Sequence, residues 1–536
     1  MNGNAVLVQE ACTPDRHQRD PVGRVQIVLP PGTAQFMEYP VVSTVNQAER
    51  SLVLHNHVFD DPGKLVTDSI ESTNHPVIRT GGNLMHTTDR ALNIDPRIED
   101  PDKLKPLSRR GFIGRLVGGV AGATAFLSMS PKTYGAPAEE IFDMPGGARA
   151  DDETYWEGVA DQFLIRKGVS YMNTGTRGVS PRSVHQAQIE AVERVNSDPN
   201  MTWSTYFFPA MNEIREKMAA FVGANIDEIA FTNSTTDGMG LGFMGIELKR
   251  GDEILTTNYD YGWVKNMMKY RAKRDGLVFK MVDISEPRFR TLENSQEVVN
   301  AVEAGITPRT RFLTICHINY TDGFVMPVKE ICDLARAKGI ITLVDGAQPP
   351  GMMKLDLHEL GCDMYAAAGH KYMLAAQHTG FLYVREAAAD RVQPLVYTGS
   401  PDSDMSGAGK LVQRGSSSYS DRIAMGAALD FHNHITREAV EARLRYLTQR
   451  LIKGLKAVEG VTVYASDNPR NSCALVSFSI RDKKPSDIVG SMWYGPSWNG
   501  PNTYLRTVSA SGDFSAVRAS LHVMVTAKQV DALIDM

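Results

Sequence analysis

Three features of this chain have side chains of the right types, in the right order, to work on a carbon bearing an amine. His370-Lys371 follows the small-residue run Met364–Ala368, and lysine carries the one side-chain amine able to form an imine with a carbonyl compound. Asp345 closes the apolar run Ile340–Val344, where a carboxylate is costly unless it meets a positive partner. Phe231-Thr232-Asn233-Ser234-Thr235-Thr236-Asp237-Gly238 is dense in hydroxyls where a strand gives way to a helix. A helix start binds anions through its unpaired N–H groups.

Amine, acid and anion cradle are parts that pyridoxal 5'-phosphate (PLP) requires. The amine holds the cofactor as an imine. The acid keeps a proton on the pyridine nitrogen, so that the ring accepts electrons, and the cradle holds the phosphate. Each part also has an ordinary reading. Ser234 to Gly238 serves equally as a helix N-cap box, Asp345 as the cap of a following helix, and Lys371 as a solvated lysine in a turn. The expectation rests on their joint order.

Positioning these groups takes a sheet whose strands end along one edge. Short apolar strands are predicted at Glu228–Thr232, Ile254–Thr257, Val278–Val282, Arg311–His317, Ile340–Val344, Met364–Ala368 and Gly380–Val384, with Lys371 in the turn between the last two. Amphipathic helices alternate with them. Met211, Ile214, Met218, Phe221 and Val222 share one helical face that Gly223 is placed to end. Pro327 can open a helix through Val328, Ile331, Leu334 and Ala335 that stops at Gly339. The rhythm indicates an α/β fold with a mostly parallel sheet. Ser234, Tyr259, Asn319 and Asp345 fall just past strand ends, where such sheets place ligands. A long helix from Glu438 to Val458 and further strands indicate a second, smaller domain.

From about Gly168 to the C-terminus the chain resembles the class-V aminotransferase group of fold-type-I PLP enzymes, and within it the isopenicillin-N-epimerase-like branch. The resemblance is carried by Tyr171-Met172-Asn173-Thr174-Gly175, Phe231–Gly238, His317-Ile318-Asn319-Tyr320-Thr321-Asp322-Gly323, Asp345–Gln348, Gly369-His370-Lys371-Tyr372, Arg414-Gly415-Ser416 and Arg518-Ala519-Ser520-Leu521-His522. It implies a large domain with a seven-stranded-type sheet and a smaller C-terminal α+β domain. It also implies roles. Lys371 is the Schiff-base lysine and the base that shuttles the Cα proton, and Asp345 pairs with the pyridinium nitrogen. Gln348 donates to the ring O3′, Tyr259 takes the place of the stacking ring, and Asn319 lies with them in the cofactor site. Ser234, Thr235 and Thr236, aided by His370, bind the phosphate. Ser416 reaches the phosphate of a neighbouring subunit, which implies a homodimer. Asn173 and Arg518 bind substrate, Arg518 gripping its α-carboxylate. The chain departs from the family pattern at Ala368, at Ala376-Gln377-His378 and at Tyr259, which stands for a common histidine. Those departures touch phosphate binding and ring stacking.

The 536 residues, with a net charge of −5, leave room for roughly two to four units at ~150 residues each. The charge carries no nucleic-acid footprint. Five cysteines are scattered without metal or disulfide spacing, so no metal site is expected. Residues 1–105 show little periodicity and are expected to be disordered or a mis-annotated extension. Ser108-Arg109-Arg110-Gly111-Phe112-Ile113-Gly114, the apolar stretch Leu116 to Met129 and Ala136-Pro137-Ala138 have the three parts of an export signal of the twin-arginine type, spanning 106–138. Translation is then expected to start near Met85, with the twin-arginine machinery as partner and the periplasm as destination. A cytoplasmic location is the alternative. The expected divisions beyond it are 139–200, packing on the small domain, then 201–425 for the large PLP domain and 426–536 for the small one.

The expected substrate is an amino acid or an amino-acid-containing metabolite. Epimerisation, transamination and elimination share Lys371 and Asp345. Tailoring of an exported metabolite such as a siderophore is one alternative. An inactive PLP-fold binding protein is another, and retention of both residues argues against it. Cysteine desulfuration needs a mobile cysteine, and Cys473 lies in a run that reads as a strand. A Rossmann-type oxidoreductase needs a glycine-rich turn, whereas Gly238-Met239-Gly240-Leu241-Gly242 lies within a predicted helix.

Overall fold

The computed structural model describes residues 149–200, 203–285, 295–399, 406–494, 502–509 and 514–536, together with the backbone of five strands between 43 and 84. The twin-arginine stretch 106–138, Met85 and Cys12 lie outside the described residues. The chain divides into two compact units, Met1–Gly122 and Ala123–Met536.

In the first unit, β1 (Ser43–Asn46), β2 (Ser51–Asp61) and β3 (Lys64–Glu71) form an antiparallel meander, and β4 (Arg79–Thr80) pairs with β5 (Asn83–Leu84). The sequence reading assigns these residues no regular element. Val53, Val58 and Phe59 in β2 are β-branched or aromatic residues that favour extended backbone.

The second unit is built on a seven-stranded sheet of order β7 (Ile229–Thr232), β13 (Gly380–Val384), β12 (Met364–Ala368), β11 (Ile341–Asp345), β10 (Thr310–Cys316), β8 (Glu253–Thr257), β9 (Val278–Val282). From β12 to β9 every pairing is parallel, while β13 runs antiparallel to both its neighbours. Each strand lies within one residue of its expected bounds, because helices cover both faces and the strands read as short apolar runs. Alternation sends Phe231, Ile315, Val344, Tyr365 and Phe381 into one core and Ala230, Phe312, Leu343, Met364 and Leu382 into the other.

The helix Phe208–Val222 buries Met211, Ile214, Met218, Phe221 and Val222 and ends on Gly223 at φ 66°. The helix Val328–Ala337 starts after Pro327. Gly238 to Gly242 lie within the helix Thr235–Gly245, as expected. The C-terminal part pairs β14 (Val461–Val463), β15 (Leu475–Ile480), β18 (Ser515–Ser520) and β17 (Arg506–Ser509), all antiparallel. Helices Arg437–Ala457 and Ala527–Ile534 share its core. Tyr155, Trp156, Val159 and Phe163 join that core, whereas Val184, Ala187 and Ala191 of the helix Arg182–Ser197 pack with the large sheet. The division expected after residue 425 falls inside the unbroken helix Tyr419–Ile435. That helix contributes Ile423 to Leu429 to the large core and Phe431 and Ile435 to the small one. The chain turns only at Thr436, at φ 77°.

Candidate active site

Lys371 stands in the turn between β12 and β13, at the edge where the parallel strands end. Asp345 is the last residue of β11, the next strand over. Asp345 is 5% exposed. Its burial pushes the carboxyl up to about 6, against the opposing pull of the Lys371 ammonium and the Ala347 N–H, which donates to Oδ1 at 3.0 Å. Burial pulls the Lys371 ammonium down to about 8; Asp345 opposes this, while the Arg518 and Arg506 guanidiniums add to it. The two groups thus act on each other electrostatically, as a joint site requires. Asp345 caps no helix; its side chain closes a short turn onto Ala347.

A strap from Met172 to Gly178 holds the parts together. It follows β6 (Val169–Tyr171), which pairs in parallel with β16 (Asn502–Tyr504). The Gly178 N–H donates to the His370 carbonyl at 2.7 Å. A Cβ on Gly178 would lie 2.1 Å from the Lys371 carbonyl oxygen, so only glycine allows this approach. Gln348, 3% exposed, donates from Nε2 to the Gly175 carbonyl at 3.2 Å. The Thr176 hydroxyl donates to Asn173 Oδ1 at 2.7 Å and accepts from Arg518 Nη2 at 2.9 Å and Arg506 Nη1 at 2.8 Å. Arg518 is 2% exposed and also donates from Nη1 to the Tyr320 carbonyl at 2.7 Å, so it is no surface ion pair.

The hydroxyl-rich turn serves two purposes at once. Ser234 caps the helix Thr235–Gly245, accepting from the Asp237 N–H at 3.1 Å. Thr235 Oγ1 is buried with no protein partner, and Thr236 is exposed. Asp237 Oδ2 accepts from the Asn233 N–H at 3.0 Å and from Arg414 Nη2 at 2.6 Å. That bond ties the turn to the loop carrying the exposed Ser416. His370 Nδ1 lies 3.3 Å from the Thr379 carbonyl. Burial, helped by the Lys371 charge, brings its imidazole down to about 4, so it is neutral.

Tyr259 lies buried just past β8, in the same core as Ile315 and Val344. Asn319, 3% exposed, follows β10; its N–H donates to the Phe324 carbonyl and its carbonyl accepts from Gly323 N, both at 2.9 Å. No contact of Thr236 or Ser416 with Lys371 is seen among the described residues.

Sequence reasoning passed over several residues here. Asp260, 1% exposed, gathers Thr256 Oγ1 at 2.9 Å, Thr257 N at 2.9 Å and Thr257 Oγ1 at 2.7 Å on one oxygen, and its charge raises Asp345 further. The spacing Thr-Thr-x-x-Asp after a strand was the available signal. The His317 N–H donates to the Asp345 carbonyl at 2.9 Å, and its Nδ1 lies 3.0 Å from the Tyr365 hydroxyl. Thr176, Gly178 and Arg506 act through contacts across the chain that leave no local pattern.

Cys473 is fully buried two residues before β15 begins at Leu475, and burial pushes its thiol up to about 12. The other described cysteines, Cys316, Cys332 and Cys362, are also free and buried.

The family model "Aminotransferase class-V" matches residues 173–533. Among curated proteins, "Isopenicillin N epimerase" of Amycolatopsis lactamdurans is 29% identical over 61% of this chain and 85% of its own length. "Probable cysteine desulfurase" of Halalkalibacterium halodurans is 30% identical over 62% of this chain and 82% of its own. Among solved structures, a C-DES mutant with glycine covalently linked to its PLP cofactor superposes with a TM-score of 0.63 at 22% identity, covering 70% of this chain and 97% of that one. A cysteine desulfurase from Thermococcus onnurineus gives a TM-score of 0.61 at 21% identity, covering 73% and 98%.

Proposed function

The chain belongs to the class-V aminotransferase family of PLP-dependent enzymes, and from that premise we propose that it acts at the Cα of an amino acid or amino-acid-containing metabolite, in the manner of an epimerase or aminotransferase. The observation that carries this reading is that Asp345 ends β11 and Lys371 follows the adjacent β12, with the strap bonded to the buried Arg518 fastened to the same turn. The residues present fit PLP: a buried acid of raised proton affinity, a half-buried amine, and buried polar atoms without protein partners at Thr235 Oγ1 and Gln348 Oε1.

Lys371 would hold the cofactor covalently, Asp345 its ring nitrogen and Gln348 its ring oxygen. Tyr259 would cover the ring and Asn319 line its pocket. Ser234, Thr235 and Thr236, with His370, would hold the phosphate. When bound, the cofactor's ring withdraws electrons from the substrate and so acidifies its Cα–H bond. Ionised, Asp345 would pair with the protonated ring nitrogen, and that cation would offset the desolvation that raises its carboxyl. Lys371, drawn down toward neutrality, can accept the Cα proton and return it, because an amine titrating near working pH is the best shuttle. Arg518, with Asn173, orients the substrate carboxylate. Desulfurase chemistry needs an accessible thiolate, and the described cysteines are buried.

The working unit we propose is a homodimer in which Ser416 reaches the partner's phosphate site. Trp263 and Tyr270, seven residues apart on the helix Gly262–Asp275, are 67% and 62% exposed, as expected of a face that a second copy covers. Export through the twin-arginine route is proposed from the 106–138 sequence alone; a reporter fused to that stretch would reach the periplasm, and Arg109→Lys with Arg110→Lys would keep it inside.

The absorbance of purified protein tests the central reading. A yellow band should appear with PLP and vanish on borohydride reduction, with the label on Lys371. Amino acids should then lose Cα–H to deuterium in heavy water. A colourless protein that takes up no PLP would overturn the reading.

A further inference from the structure

Arg506 of β17 and Arg518 of β18 are paired directly across the antiparallel ladder. Like charges placed opposite one another destabilise a sheet. Both guanidiniums nevertheless converge on one neutral oxygen, Thr176 Oγ1, at 2.8 Å and 2.9 Å. Among the described residues neither has a carboxylate partner, and Arg518 Nε is buried with no acceptor at all. Two cations held together in this way are short of negative charge. A carboxyl-bearing substrate supplies it.

The arginines differ in depth. Arg518 is buried and fixed to the Tyr320 carbonyl, whereas Arg506 is exposed at the rim. Both act on the Lys371 ammonium, Arg518 more strongly. A carboxylate seated on the buried Arg518 therefore leaves the exposed Arg506 for a second group. Gly175 leaves room beside Arg518, since a Cβ there would lie 3.2 Å from Arg518 Nη2 and 2.9 Å from Ser520 Oγ.

We propose that Arg506 is a specificity-determining residue that binds a second anionic group of the substrate, so that the site prefers amino acids carrying a further carboxylate beyond the one at Cα. This rests on the proposed role of Arg518 at the α-carboxylate. Thr176 positions both guanidiniums when substrate is away.

The test uses the full chain and unreactive probes. Butyrate, succinate and glutarate are titrated calorimetrically into the wild type, Arg506→Gln and Arg506→Lys, before and after PLP loading. Because a hydrogen bond to a charged group is worth about tenfold in affinity, the wild type should bind a dicarboxylate about tenfold more tightly than butyrate. Arg506→Gln should abolish that ratio, and Arg506→Lys should restore part of it. An unchanged ratio in Arg506→Gln would overturn the proposal, and so would an equal loss for butyrate and the dicarboxylates, which means one shared carboxylate. PLP loading is read separately from the yellow band and the label on Lys371. Its failure with the dicarboxylate preference intact would sink the cofactor reading and leave this one standing.

Discussion

The Gly178 N–H donates to the His370 carbonyl at 2.7 Å, so the strap from Met172 to Gly178 is fastened to the turn that carries Lys371. Displacing one moves the other. In Gly178→Ala the new methyl would lie 2.1 Å from the Lys371 carbonyl oxygen, which forces the turn away. Overpacking of this kind costs about 1–3 kcal/mol. The variant should unfold at lower temperature and load PLP weakly even where it is folded, measured by calorimetry and by PLP titration. A variant that loads PLP as the wild type does would contradict the fastening.

Asp345→Asn keeps the shape and the acceptor for the Ala347 N–H but removes the charge. Loss of one preorganised electrostatic group costs about 10²–10³ in kcat. The yellow band should still form on Lys371, whereas deuterium uptake at Cα should fall by about that factor. Full retention of exchange would mean that Asp345 does not hold the ring nitrogen.

The same substitution has a signature in the protein without cofactor. Asp345 titrates at about 6 when folded, against an ordinary 3.8. A carboxyl raised in this way contributes stability that is fully present below its unfolded value and is lost as pH rises through its folded one. The midpoint of Asp345→Asn relative to wild type should therefore climb between pH about 4 and about 6, then level off. Thermal scans across that range decide it, and a flat difference would show that burial does not perturb Asp345.

Thr235 Oγ1 has no protein partner, and Thr235→Val removes it without changing the shape of the side chain. The variant should lose about tenfold in affinity for PLP but little for pyridoxal, which lacks the phosphate. Equal losses for both would place Thr235 away from the phosphate.

The sheet was legible because its strands are short apolar runs with clear breaks, and the places of Lys371 and Asp345 at neighbouring strand ends were legible from those runs. The helix Tyr419–Ile435 hid the boundary between the two cores, since one amphipathic segment serves both and no breaker occurs before Thr436. Arg506 was invisible for another reason. Its partner Thr176 lies 330 positions away, and only the pairing of β17 with β18 sets it opposite Arg518. Thr176 and Gly178 matter for the same kind of distant contact. Ser234 was readable both as cap and as cradle; its hydroxyl caps the helix, while the unpartnered atom is on Thr235.

Gly380 pairs with Ala368 on one side and with Thr232 on the other. The reversed strand it begins therefore works as a ruler between the lysine turn and the hydroxyl turn. Two ladder spacings set the gap between the strand ends at about 10 Å, and backbone hydrogen bonds hold it. A slip of the ladder would shift one turn against the other by about 3.3 Å, too coarse a step for gradual adjustment. Variation in this site is thereby confined to the side chains around a fixed span, and the length of any molecule gripped at both ends is prescribed before a single side chain is chosen.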